Sequence, residues 1–227
     1  MIDMKETIDT YHEHMCEAIY ALRSGLTFYK DAKQTEEDDL KWGWLYRNAV
    51  MQCRYAFLLA ANALEAAANA LLLELDTSRA SYEDLEKLQT LLKFEVVCLT
   101  HGKKLDRGNA LYGRVVDVVK CRNEFVHPKP RKTLVQLNAD GSDMEIIVAK
   151  TKMKGYPTAF SNFDPNHARE AIGDVLAFIS WIAFDVCQYS IDDGSLRLGF
   201  GSRRSTGDVT ILAHEYGFDT RSFGETQ

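Results

Sequence analysis

The segment over residues 55–75 constrains the fold of this chain more than any other. It is rich in alanine and apolar on nearly every side of a helix. A helix that is apolar all round has to be buried, and its small alanines allow neighbouring helices to approach closely. We therefore expect a helical bundle, whose central member is the later part of one long helix. That helix runs from residue 37 to about 75, with a possible break near Trp42-Gly43-Trp44.

The remaining helices are predicted from apolar side chains that recur every three to four residues and from capping residues. They are residues 3–32; a helix after Ser81 that Asp84 helps to cap and that ends near His101-Gly102; one from Asp106 to Pro128; and one opened by Asp164-Pro165.

The pattern changes to that of β-strands after the fourth of these helices. Two short apolar runs at 133–137 and 144–148 flank Asp140-Gly141, a dipeptide typical of a tight hairpin turn. From Asp192 onward glycine, serine and charged residues dominate. The predicted class is all-α: a bundle of four to five helices over residues 1–191, a β-hairpin inserted at about 133–149, and an irregular tail over 192–227.

Several features predict a soluble cytoplasmic protein without a membrane span. No run of about 18 apolar residues is present, and residues 1–6 lack the basic and then apolar order of a signal peptide. The five cysteines are odd in number, scattered, and form no Cys-x-x-Cys pair. That usage fits reduced thiols better than a disulfide framework.

The net charge of −6 argues at first against nucleic-acid binding. However, residues 1–40 hold ten acidic and four basic side chains, which accounts for the whole deficit. A local basic cluster can bind a phosphate chain while the remote surface stays acidic; the alternative is a solvated helix end whose cations complement the helix dipole. The cluster lies over residues 120–132 and contains Lys120, Arg122, Lys129, Arg131 and Lys132.

A short motif inside this cluster suits phosphodiester chemistry. Arg122 and Asn123 precede His127, which is followed by Pro128. Because a proline pushes the preceding residue out of the helical region, His127 can fold back toward the turn that carries Arg122. Arginine can grip two phosphate oxygens, and histidine can take and give a proton near neutral pH. These parts suit attack of a 2′-hydroxyl on its own phosphodiester without a metal.

Each of these residues also has a structural interpretation. Arg122 could instead pair with Glu65 or Glu124, and His127 could cap its helix. Glu65 and Asn69 lie four residues apart and therefore share a helix face. They either reach the same cleft or form a satisfied polar pair at a helix crossing.

His12-Glu13-His14 is not expected to bind a metal. Positions two apart on a helix diverge by about 200°, and we expect no metal or cofactor. A metal- or ligand-binding four-helix bundle is disfavoured because the chain lacks Glu-x-x-His pairs on facing helices.

The motif resembles the Arg-x4–6-His signature of HEPN domains, and residues 64–71 (Leu-Glu-Ala-Ala-Ala-Asn-Ala-Leu) are similar to their buried second helix. The resemblance covers residues 40–190. It implies an all-α bundle that dimerises and brings two arginine–histidine pairs into one cleft. Many such proteins are metal-independent endoribonucleases of toxin–antitoxin, abortive-infection or RNA-processing systems, whereas others only bind.

Carried over to this chain, the resemblance makes Arg122 the residue that stabilises phosphate and His127 the residue that transfers protons. The expected function is a metal-independent endoribonuclease that acts as a homodimer on RNA, with an antitoxin or regulatory protein as a further candidate partner. The alternative is a non-catalytic helical module that binds a partner protein or nucleic acid. The residues expected to bind or position RNA are Asn123, Lys120, Lys129, Arg131, Glu65 and Asn69.

Overall fold

A computed structural model describes residues 4–37, 39–75, 78–127, 133–137, 144–148, 156 and 163–190, with side chains left undescribed at 4–9, 79–80 and in the two strands. The elements are α1 (Met4–Lys33), α2 (Leu40–Leu73), α3 (Arg79–Leu85), α4 (Thr90–Thr100), α5 (Ala110–Val126), β1 (Thr133–Leu137), β2 (Met144–Val148), α6 (Pro165–Ser180) and a π-helical turn (Trp181–Val186). The described chain is mostly helical, which confirms the predicted all-α class.

Helix α2 is the centre of the structure and contacts α1, α3, α4, α5 and α6. Its alanine-rich half is buried, from Ala56 to Leu72, apart from polar or half-buried positions such as Glu65 and Asn69. The prediction of a central buried helix is therefore confirmed. The helix starts at Leu40, where the Asp39 carboxylate accepts a hydrogen bond from the Lys41 backbone N–H at 2.8 Å.

The prediction of a possible break in α2 near Trp42-Gly43-Trp44 is wrong. The Gly43 N–H donates to the Asp39 carbonyl at 3.3 Å, and α2 continues without interruption through this turn. A glycine in a helix lowers its stability by about 1 kcal/mol relative to alanine. The extensive burial along α2 offsets a cost of that size, so the helix does not break.

Helix α2 is also long and apolar enough to meet the usual criterion for a membrane span. However, 72% of its most apolar 18-residue window is buried against the rest of the protein. The central helix of a folded core meets the same criterion. The expected soluble, cytoplasmic location stays a prediction.

The third predicted helix is two helices, α3 and α4, separated by residues 86–89. Helix α3 is capped by Ser78, whose hydroxyl accepts a hydrogen bond from the Ser81 N–H at 3.3 Å. The prediction that Asp84 caps this helix is wrong. Asp84 lies exposed within α3, and its carboxylate pairs with the Lys87 ammonium at 3.1 Å. Ser78 makes the cap because its backbone is extended and lies just ahead of the first helical turn.

The start of α5 also differs from the prediction. Asn109 caps it, and its side-chain oxygen accepts from the Leu111 N–H at 2.8 Å. The expected cap, Asp106, instead accepts from the Gly108 N–H at 2.8 Å and closes the preceding turn. Both are short-range side-chain-to-backbone bonds, and the residue adjacent to the helix makes the cap.

Helix α6 begins where Asp164-Pro165 predicts it. The Asp164 carboxylate accepts from the Asn166 and His167 N–H groups, and the Asp164 N–H donates to the His167 ring at 3.1 Å. This reciprocal arrangement is a capping box with proline at the first helical position.

Strands β1 and β2 pair antiparallel, with Thr133 opposite Val148 and Leu137 opposite Met144. The expected turn at Asp140-Gly141 lies outside the described residues, as does the tail over 192–227. The hairpin as an inserted unit, the division at residue 191 and the HEPN-like arrangement of the bundle therefore stay predictions.

Candidate functional site

The last turn of α5 carries the motif and is anchored in the core. The Phe125 ring is buried and packs against Phe57 of α2 with ring centroids 5.6 Å apart. The next residue but one, His127, is the C-cap, and its backbone (φ −126°, ψ 67°) has left the helical region. The His127 N–H donates to the Asn123 carbonyl at 2.9 Å. The helix therefore ends where the motif predicts, with an exposed imidazole at its end.

A cavity of about 280 Å³ lies beside this turn, where α2, α4 and α5 meet. It brings together three of the residues predicted to form the site: Glu65, Arg122 and Asn123. The described residues that line it are Ala61, Glu65, Leu88, Gln89, Thr90, Val119, Arg122 and Asn123.

Arg122 is half-buried at the wall of this cavity. Its Nη1 donates to the side-chain oxygen of its neighbour Asn123 at 3.1 Å. Within the described part of the chain the guanidinium makes no ion pair, with Glu65, Glu124 or any other carboxylate. The described residues therefore do not contain the structural salt bridge that was the alternative for Arg122.

The carboxylate of Glu65 is held from the opposite side by α4. The Thr90 hydroxyl donates to Oε2 and the Lys93 ammonium donates to Oε1. Lys93 also donates to the side-chain oxygen of Asn69 at 2.8 Å. Lys93 is only 2% exposed, whereas the Glu65 side chain is 39% exposed. A buried cation is tolerated when it is paired and hydrogen-bonded, as here.

Asn69 does not line the cavity. It belongs to the contact between α2 and α4 and accepts from Lys93. Of the two interpretations offered for Glu65 and Asn69, the structure gives the satisfied polar contact at a helix crossing for Asn69. Glu65 takes part both in that contact and in the cavity wall.

The other predicted site residues lie elsewhere. Lys120 is exposed and faces Asp117 on the same helix at 3.9 Å. His127 does not line the cavity, and among the described residues no hydrogen bond joins it to Arg122. Lys129 and Arg131 lie outside the described residues.

Sequence reasoning missed Lys93 and Thr90. Lys93 is the single basic residue of α4, between Leu92 and Phe94 in an otherwise largely apolar segment. A lone cation at such a position is a signal for a buried partner. Thr90 and Lys93 are three residues apart and therefore share one face of α4. Glu65 and Asn69 are four apart and share one face of α2, so the two pairs can meet across the helix contact.

Among the described residues, the charges at the cavity leave one cation without a counter-charge. Lys93 offsets Glu65, while the one side chain seen to bind Arg122 in the described ranges is the neutral amide of Asn123. A guanidinium with free donors at an accessible cavity suits an anionic group with several oxygens, such as a phosphate.

A second cavity, of about 330 Å³ between α5 and α6, lacks this property. There the Arg114 guanidinium donates to Asp174 at 2.7 Å, and the Tyr156 hydroxyl donates to the same carboxylate at 3.3 Å. Burial, and then the Asp174 charge, raise the pKa of Tyr156 well above its ordinary value. The Arg114 cation is thus already paired with a carboxylate, and Glu170 adds a second acid to the lining. The described residues contain no group of three or more side chains that could hold a metal ion, and His12, Glu13 and His14 do not form such a group.

No family model matches the chain, and no similar protein was found among curated proteins or among solved structures. The resemblance to HEPN domains therefore depends on the motif and on its helical setting.

Proposed function

We propose that this protein is a metal-independent endoribonuclease in which Arg122 binds the scissile phosphate and His127 transfers protons. The observation that carries the proposal is the state of Arg122. It lines a cavity with Asn123 and makes no ion pair in the described chain. The one carboxylate among the described lining residues, Glu65, is already bound by Lys93 and Thr90.

The reaction needs only the groups of the motif and of the RNA. An imidazole takes the proton from the 2′-hydroxyl, the O2′–P bond forms, and the P–O5′ bond breaks as the leaving oxygen receives a proton. The products are a 2′,3′-cyclic phosphate and a 5′-hydroxyl. Arg122 stabilises the charge that develops on the non-bridging oxygens. Proton transfer by His127 would contribute a factor of about 10² to 10⁴, and the Asn123 amide would orient the phosphate.

The start of α4 adds to the positive character of the cavity. Leu88, Gln89 and Thr90 line it, and Gln89 makes no side-chain cap to the helix. The first N–H groups of a helix carry partial positive charge and lack acceptors within the helix. Because α4 begins beside the cavity that Arg122 lines, its dipole favours an anion there.

A dimer completes the proposed site. Within one chain His127 is exposed and lies outside the cavity that Arg122 lines. We propose that a second copy brings the two arginine–histidine pairs to one cleft, as the HEPN resemblance implies. RNA is the proposed partner, and an antitoxin-like protein could cover the same cleft.

The test is cleavage of a mixed RNA pool in the presence of a chelator. We expect the wild type to leave 2′,3′-cyclic phosphate ends and His127→Ala to lose at least about 10²-fold in rate. The matched control is His101→Ala, because His101 is likewise an exposed C-cap, of α4. Wild-type activity no greater than that of His127→Ala would sink the proposal, and so would activity that requires an added divalent ion.

One observation favours the alternative of a non-catalytic binding module. Helix α2 exposes large apolar side chains at Leu40 (92%), Trp44 (53%) and Met51 (54%), the kind of surface that partner proteins cover. This alternative expects Arg122→Ala to weaken binding of a partner or nucleic acid while no RNA turnover occurs in any variant. Light scattering at micromolar concentration separates the two further, since a monomer contradicts the shared cleft.

A further inference from the structure

Lys93 carries its charge at a buried position. Its ammonium lies between Glu65 of α2 and Asn69, with 2% of the residue exposed. Taking a charge out of water costs free energy, and replacing a buried ion pair by apolar residues of similar volume is often neutral or stabilising.

The position of Lys93 also determines which groups bind the Glu65 carboxylate. Glu65 and Arg122 are the acid and the base among the described residues that line the cavity. Both carboxylate oxygens of Glu65 are occupied by donors from α4, Thr90 and Lys93. In the part of the chain that the structure describes, Arg122 is left with the amide of Asn123.

We propose that Lys93 is a positioning residue, which holds the Glu65 carboxylate on α4 so that Arg122 stays available to an RNA phosphate. The inference rests on the proposed function, since it names the device that keeps the phosphate site open. Without Lys93 the Glu65 carboxylate is an anion tethered beside Arg122, and a tethered group competes at high effective concentration with a free ligand.

The test compares the wild type, Lys93→Met and the double variant Glu65→Gln/Lys93→Met. The probe is a fluorescent single-stranded 2′-O-methyl RNA, which cannot be cleaved through its 2′-oxygen, and the readout is fluorescence anisotropy. We expect Lys93→Met to weaken binding by about tenfold or more, since Glu65 then pairs with Arg122. The double variant restores binding to within about threefold of the wild type, because a neutral amide does not compete as an anion.

Rescue by Glu65→Gln separates positioning from a purely structural role. Glu65→Gln also removes the unpaired carboxylate that Lys93→Met leaves in the fold, so binding is compared at a temperature where urea unfolding shows all three proteins fully folded. If Lys93 only supports the fold, the three folded proteins bind RNA equally well. Unchanged binding in Lys93→Met, or a loss that the double variant does not repair, overturns the inference. Should Lys93→Met fail to fold, Thr90→Val removes the other donor to Glu65. It must then show a smaller loss that Glu65→Gln repairs.

A structural readout does not depend on RNA. In a crystal of Lys93→Met the Arg122 guanidinium is expected within about 4 Å of the Glu65 carboxylate, a contact that the wild type lacks in its described residues. Separation of the two groups in that variant contradicts the inference.

Cleavage of unmodified RNA, measured in parallel, distinguishes this inference from the proposed function. A wild type that binds but does not cleave contradicts the endoribonuclease, while the variant pattern still supports the role of Lys93. A wild type that cleaves, beside a Lys93→Met variant that binds and cleaves equally well, contradicts only the inference. Absence of both binding and cleavage contradicts both.

Discussion

Gly25 of α1 lies so close to Cys53 of α2 that a β-carbon built at residue 25 would stand 2.6 Å from the Cys53 sulfur. The same β-carbon would lie 3.1 Å from the Ala49 carbonyl oxygen. The sulfur can rotate away, but the backbone oxygen of a central helix cannot. Glycine is therefore required here by the close approach of two helices.

We expect Gly25→Ala to lower the free energy of unfolding by about 1–3 kcal/mol, the usual cost of overpacking. The gain in helix propensity, about 1 kcal/mol, opposes but does not cancel this cost. The matched control is Gly113→Ala in α5, where a β-carbon meets nothing within 4 Å. It is expected to stabilise by about 0.5–1 kcal/mol. Urea unfolding followed by circular dichroism measures both, and a stable Gly25→Ala would show that α1 and α2 can move apart.

A second prediction concerns alkaline pH. Burial, and then the charge of Cys16, raise the pKa of the Tyr11 phenol well above its ordinary value. Burial, and then the Glu95 charge, raise the pKa of the Cys98 thiol to about 11. Below about pH 7 both groups are protonated in the folded and unfolded states alike, because an unfolded thiol titrates near about 8.5 and an unfolded phenol near about 10. As the pH rises further the unfolded chain loses these protons first, so it binds fewer protons and the free energy of unfolding falls.

Urea unfolding at intervals from pH 8 to pH 11 checks this expectation. Tyr11→Phe removes one of the titrating groups, so its stability should fall less steeply above pH 9 than that of the wild type. A stability that is constant over this range, or a slope unchanged in Tyr11→Phe, contradicts the role assigned to the buried phenol.

A third prediction tests the aromatic cluster beneath the site. The Phe57 ring of α2 meets Phe125 at 5.6 Å and Phe163 at 5.2 Å between centroids, and so ties the last turn of α5 to the chain that enters α6. Phe57→Ala should cost about 3–5 kcal/mol, as for other buried phenylalanines. Phe28→Ala is the comparison, because Phe28 is half-buried and meets Trp44 at the edge of the structure. Equal losses in the two variants would argue against a central role for Phe57.

The sequence predicts those parts of this fold whose signals are local. The burial of α2 follows from a long apolar segment without competing features, and the start of α6 follows from an acid and a proline at adjacent positions. The start of α3 did not follow, because Ser78, Ser81 and Asp84 are all possible caps and only the backbone conformation at Ser78 decides among them.

The candidate site divides in the same way. Arg122 and Asn123 are adjacent in the chain, and Glu65 and Asn69 share a helix face, so local spacing identifies both pairs. The link from Lys93 to Glu65 joins residues 28 apart on two helices. Such a contact depends on how α4 packs against α2, which no local pattern specifies.

A fourth prediction tests the cap of α6. Asp164→Ala removes the acceptor for the Asn166 and His167 N–H groups and should cost about 1 kcal/mol. Asp164→Asn retains a side-chain oxygen that can accept the same bonds, so it should cost much less. Thermal unfolding of the two variants side by side measures the difference. An asparagine variant as unstable as the alanine variant would show that the charge of Asp164, not its cap, matters.

The last prediction separates the charge of Arg122 from its geometry. Arg122→Ala removes both, and loss of one group that stabilises the developing phosphate charge lowers the rate by about 10² to 10³. Arg122→Lys keeps the charge but loses the planar fork that binds two oxygens, so we expect a rate between those of the wild type and the alanine variant. Arg169→Ala is the control, because Arg169 is exposed on α6 and lies outside the cavity. Single-turnover cleavage of one defined RNA gives the rates. If Arg122→Lys matches the wild type, Arg122 acts only as a point charge. If Arg122→Ala also cleaves at the wild-type rate, Arg122 has no part in catalysis, and the cavity beside Glu65 is not the phosphate site.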